Sequence, residues 1–162
     1  MPMSKRVKIL IGMALGALWG VLLIWLGPVW KDTGLVLALA VAGGCMGLPL
    51  MAVIGRLAQR RFFDDAIIDG QALTGAAGID ARVLSNTVEQ VVLAVCVWPL
   101  AGFVLGSGTV LSLGVGFVLA RLAFWIGYHV SPPLRAFGFA ATFYPTVLAA
   151  LLVLREALQL VV

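Results

Sequence analysis

Apolar residues run along this chain in five long blocks, at about 7–30, 34–55, 83–106, 109–130 and 136–160, with most of the charges between them. An α-helix needs about 20 apolar residues to cross a hydrocarbon core about 30 Å thick, and each block supplies that length. A β-barrel would show alternating segments of about 10 residues, whereas these blocks are continuous. Glycine and alanine recur inside them, the composition of helices that pack closely within a bilayer. The pattern predicts five transmembrane helices and an all-α integral membrane fold. The first block starts with Lys5, Arg6 and Lys8, as a secretory leader does, but its apolar stretch exceeds the roughly 7–15 residues of a cleavable one. It reads as a retained helix.

The connections differ in kind. Lys31-Asp32-Thr33 and Gly106-Ser107-Gly108 read as tight turns, and Ser131-Pro132-Pro133 as a turn that stops a helix. The segment 56–81 reads as the one long loop, carrying Asp64, Asp65, Asp69 and Asp80 together with Gly70, Gly75 and Gly78. Long loops in compact proteins are disproportionately functional; a solvated connector is the other reading.

Composition sharpens this picture. The chain is 62% apolar and 11% charged, against about 45–50% and about 25% in an ordinary soluble domain. So few charges cannot cover the surface of a soluble monomer, which excludes disorder and a disulfide scaffold. The net charge of +4 does not mark a nucleic-acid partner, because the bases sit at the ends of apolar blocks. Lys5, Arg6, Lys8, Arg56, Arg60, Arg61, Arg82 and Arg135 all fall on one side of a five-span topology, leaving Lys31 and Arg155 near the other. By the positive-inside rule the amino terminus is cytoplasmic and the carboxyl terminus outside, with the cell (inner) membrane as the expected location. Cys45 and Cys96 lie inside apolar blocks and read as buried thiols, not as a disulfide or metal ligands. Trp19, Trp25, Trp30, Trp98 and Trp125 read mostly as belt residues at the membrane interfaces.

Several polar residues do not belong in such blocks. Arg82, Asn86 and Glu89 stand at i, i+4 and i+7, on one face of a helix. Arg121, Phe124 and Tyr128 repeat that spacing in the fourth block, beside Gly127. Arg121 would lie roughly 15 Å into the membrane, with Glu89 as its expected counter-charge. A charge at mid-membrane costs about 2.5–3.5 kcal/mol on insertion scales, so such a cluster should face the bundle and pair internally. Arg82, Arg121 and Arg135 against Glu89 predict a pocket with excess positive charge, suited to an anionic, multiply hydrogen-bonding ligand from the cytoplasm. His129 reads as an interfacial residue. A structural ion pair fixing helix packing explains the same residues equally well.

The two signatures, Arg82-x-x-x-Asn86-x-x-Glu89 and Arg121-x6-Tyr128-x6-Arg135, resemble the MAPEG family, the membrane-associated proteins in eicosanoid and glutathione metabolism. The resemblance covers about residues 34–160, as a four-helix domain with its loop at 56–81, and leaves 1–31 as an additional N-terminal transmembrane helix. It implies a homotrimer that binds glutathione between subunits, and a glutathione transferase or peroxidase acting on lipophilic electrophiles or lipid hydroperoxides. Glutathione would be a co-substrate, with no metal. Arg82, Asn86, Glu89 and Tyr128 would bind it, with Gln90 and Arg121 in the same site. Arg135 matches the arginine that stabilises the glutathione thiolate, and Arg60-Arg61 resembles a basic pair that reaches across from a neighbouring subunit. Gln90 and Phe124 stand where the leukotriene synthase branch has tyrosines, a departure from the eicosanoid-specific pattern. A non-catalytic membrane protein of the same fold that binds lipid or glutathione is the alternative, and a small transporter using Glu89 as coupling carboxylate is a third reading.

Overall fold

The structure, a computed structural model, describes residues 3–159. Helix α1 spans Lys5–Leu26 and runs into a 3-10 turn at Gly27–Trp30. Helix α2 spans Leu35–Phe62, the single turn α3 Asp65–Ile68, α4 Gly75–Leu105, α5 Ser107–Val130 and α6 Pro132–Gln159. All but α3 are long and apolar enough to cross a membrane, which gives the five expected spans. Five spans run alternately up and down, so Lys5, the 62–75 connection and Ser131 share what we call the basic end.

Small residues set the packing. Helix α5 is the central element, touching α1, α2, α4 and α6. The core around it comprises Ala94, Trp98 and Ala101 of α4, Leu113 and Phe117 of α5, and Ala149 of α6. Lipid removes the hydrophobic drive for helices to associate, so close van der Waals packing must hold them together. Helix α1 lies outside the other four, packed on α6 and α5. Its buried positions Gly12, Gly16, Gly20 and Leu23 form one stripe, and a Cβ at Gly16 would strike Ala140 and the Ala141 amide. Pro49, Pro99 and Pro145 lie inside helices, as transmembrane helices tolerate.

Two expectations about connections are corrected. Most of the long loop at 56–81 is helix: α2 continues to Phe62 and α4 begins at Gly75. An apolar count ends where the bilayer ends, whereas a helix can continue into the polar zone with its hydrogen bonds intact. At 1.5 Å per residue, α4 is about 46 Å long, well beyond the hydrocarbon thickness. Two of the other turns are shorter than expected. Gly106 (φ +96°) alone joins α4 to α5, and Ser131 alone separates α5 from α6. Pro132 and Pro133 open α6 instead of stopping α5, because a proline lacking its N–H costs nothing in a first helical turn.

Candidate functional site

Arg121 is the largest fully buried side chain, 1% exposed. Its Nη1 and Nη2 both donate to Asn86 Oδ1 at 3.1 Å, and Nη1 also donates to Thr142 Oγ1 at 3.2 Å. The guanidinium carbon lies 4.0 Å from the centre of the Phe124 ring, a cation–π contact that partly replaces lost hydration. Its Nε has no partner among the described residues. Among the described residues no carboxylate is paired directly with it: Glu89 Oε2 instead accepts from Asn86 Nδ2 at 3.1 Å. The expected Arg121–Glu89 pairing is therefore corrected to a relay through Asn86. The cause is helical phase. Three residues on from Asn86, which faces α5, the helix has turned about 300°, and Glu89 emerges exposed on the outer side.

In front of this buried charge lies a cavity of about 480 Å³. Asn86, Tyr128 and Arg135 give it a polar side, and Met13, Phe124 and Phe139 an apolar one. Arg135 stacks over Tyr128, with 4.8 Å from guanidinium carbon to ring centre. Tyr128 in turn meets Phe124 edge to face, with the ring centres 5.1 Å apart. Gly127 permits this approach: a Cβ there would collide with the backbone of Arg135. Gly138 does the same further along, where a Cβ would strike the Phe124 backbone. The expected shared face of Arg121, Phe124 and Tyr128 is thus present and turned inward.

The remaining expected site residues separate. Arg82 is exposed on α4 and does not line the cavity. Of the three arginines assigned to the pocket only Arg135 lines it, with Arg121 one layer behind. Gln90 is buried, 4% exposed, with its Oε1 unpartnered among the described residues. Arg61 is exposed in the last turn of α2. Arg60, by contrast, donates through Nε to Asp80 Oδ2 of its own chain.

Asp80, expected among the acids of a long loop, lies instead within α4 and is 1% exposed. Its Oδ1 accepts from Trp125 Nε1 at 2.8 Å, and His129 Nε2 lies 3.7 Å away. One carboxylate thereby ties α2, α4 and α5 at the basic end. A signal was present: Asp80, Val83, Thr87, Gln90, Ala94 and Trp98 mark the buried stripe of α4 at the three- and four-residue spacing of a helix face. Two tryptophans are corrected with it, since Trp125 serves Asp80 and the buried Trp98 donates to Thr146 Oγ1 at 3.2 Å. Cys96 is exposed and Cys45 half-buried, both free, which corrects the expectation of two buried thiols.

Fold and site together define a multi-pass helical membrane protein with a cationic, half-apolar pocket near one end of its bundle. The MAPEG family matches residues 35–155, most of the chain, and the protein belongs to that family of membrane proteins of glutathione and eicosanoid metabolism. No curated protein and no solved structure matches the chain significantly.

Proposed function

We propose that this protein is a membrane-bound glutathione transferase or peroxidase. The observation that carries the reading is Arg121, buried without a carboxylate directly against it, behind a cavity whose polar side holds Arg135 and Tyr128. Glutathione is an anion with many hydrogen-bonding groups, and its charge would balance such a site. Asn86 and Tyr128 would hold its polar groups, with Gln90 and Arg121 behind them.

Arg135 would stabilise the thiolate. A cysteine thiol has a pKa of about 8.5, so only a few per cent is thiolate at neutral pH. A guanidinium lowering that pKa by about two units supplies about 2.7 kcal/mol. The released proton passes to solvent. The sulfur lone pair then attacks an electrophilic carbon, forming the S–C bond as the leaving group departs with its electron pair. With a lipid hydroperoxide the thiolate attacks the outer oxygen, the O–O bond breaks, and the lipid alkoxide is protonated to an alcohol. A second glutathione then converts the sulfenic acid to disulfide and water.

The assembly proposed is a homotrimer. Arg82 and Glu89 are exposed on α4, and α2 leaves Gly43, Gly44 and Gly47 with nothing packed against them. A neighbouring subunit in contact with these surfaces would take the two charges away from lipid and complete the glutathione site, with Arg61 near enough to the basic end to contribute. The clustered bases favour a cytoplasmic side for that end by the positive-inside rule, and the membrane proposed is the cell (inner) membrane. The alternative, a non-catalytic lipid- or glutathione-binding protein, draws on the apolar half of the cavity. The ultraviolet thiolate difference spectrum of added glutathione separates the two. Wild type should develop a thiolate band near neutral pH that Arg135→Ala lacks. Absence of the band, with no glutathione binding by calorimetry, would overturn the transferase reading.

A further inference from the structure

The residues that match the family begin at 35, so α1 lies outside them, yet α1 supplies Met13 to the cavity that holds Arg135 and Tyr128. Its placement there is fixed by close approach of its glycines to α6. A Cβ at Gly12 would strike the Pro133 carbonyl oxygen and one at Gly16 the Ala140 Cβ and the Ala141 amide, while one at Gly20 would sit tightly against Pro145. At these three positions α1 itself contributes no side chain to the contact, so a change of its depth on α6 would disturb all three close approaches. Met13 follows Gly12 and therefore points about 100° around the helix, off the α6 stripe and into the cavity. Helix α1 packs on α5 and α6 but not on α4. The cavity draws its walls from all four helices, with Met13 on one side and Asn86 on the other, and the α1–α4 side is the one where no helix packing closes it.

We propose that the gap between α1 and α4 is the passage by which a lipophilic partner reaches Arg135 from the bilayer, and that Met13 sets its width. The inference rests on the transferase reading for the chemistry at Arg135, but not for the passage itself. Methionine is unbranched, turns about three bonds, and its sulfur packs well on aromatic rings; Phe124, Tyr128 and Phe139 line the same cavity. Such a gate yields to a slender chain and resists a branched or fused-ring body. The partner class is therefore an unbranched acyl-chain electrophile or lipid, its reactive group beside Arg135 and its tail running past Met13.

The test uses the full-length protein in nanodiscs as wild type, Met13→Trp, Met13→Ala, and the control Leu18→Ala, whose side chain faces outward, 64% exposed. The first readout is glutathione conjugation of dodecenal (the 2-alkenal), whose tail must lie in the passage, and of cyclohexenone, which is small and water-soluble enough to enter from the basic end without using it. In both, sulfur adds to the β-carbon, the π electrons shift to the carbonyl, and solvent protonates the α-carbon. Met13→Trp should lower kcat/KM for dodecenal relative to cyclohexenone roughly tenfold, within the range a steric pocket can discriminate. Met13→Ala should move the ratio of cyclohexenone to dodecenal the other way, and Leu18→Ala should leave it alone. The second readout needs no catalysis: palmitic acid carrying a mid-chain diazirine should label peptides containing Phe124 or Phe139, and Met13→Trp should suppress that labelling about fivefold. Equal ratios and equal labelling in Met13→Trp would overturn the passage while leaving glutathione activation intact. No conjugation in wild type, with labelling still suppressed by Met13→Trp, would overturn the transferase reading and uphold the passage.

Discussion

Asn86 is a small amide with an outsized position: its oxygen receives two guanidinium N–H groups while its nitrogen serves Glu89. Both ends of the amide are matched to charges, so neither aspartate nor leucine can replace it. Asn86→Leu removes the main acceptor of a buried cation. Hydrogen bonds to charged groups contribute about 1.5–3 kcal/mol each, and thermal unfolding in detergent should fall by an amount of that order. Glu89→Gln should cost less than about 1 kcal/mol, because Glu89 is exposed and touches the cluster only through Asn86. An equal loss in the two variants would show that Glu89 pairs directly with an arginine. At this scale the spacing Arg82, Asn86, Glu89 was legible as one face, but which of the three turns inward was not. Residues four and seven apart share a face only to within tens of degrees, and the neighbouring helix selects the innermost.

At the scale of elements, the basic end is held by a clasp and the outer helix by a stripe. Asp80 joins Arg60 of α2 to Trp125 of α5. Asp80→Ala strands a half-buried guanidinium and an indole N–H together. The connection from 63 to 74 should then be cut by added protease about tenfold faster, with the spans still folded. Unchanged cleavage would mean that α2 and α4 are held at this end by packing alone. Gly16→Val places two methyl groups against Ala140 and Ala141, and overpacking of this kind costs about 1–3 kcal/mol. Its signature should be the detachment of α1, seen as faster proteolysis near Lys5, with α2 to α6 intact. The element ends were poorly legible because the apolar pattern measures membrane thickness. Hydrogen bonding, not apolarity, decides where α2 stops and α4 begins.

For the whole molecule the proposed trimer makes a prediction of its own. Gly44→Leu, on a surface with nothing packed against it in the single chain, should leave the fold of each chain unchanged and dissociate the oligomer in native mass spectrometry. An intact oligomer in that variant would place the subunit contact elsewhere than α2. The amino-acid sequence by itself determined that the chain crosses a membrane five times as helices, which end of the bundle is basic, and which polar residues sit within apolar segments. Those properties follow from local periodicity, and from the cost of exposing charge or unpaired backbone groups to hydrocarbon. Only the tertiary structure decided that Arg121 leans on Asn86 instead of a carboxylate, that Asp80 is a buried junction, and that α1 brings Met13 to the pocket of Arg135. Each of these depends on the rotation and depth of one helix against another. Glycine-sized contacts tens of residues apart set that rotation and depth, and no periodicity within a single helix encodes them.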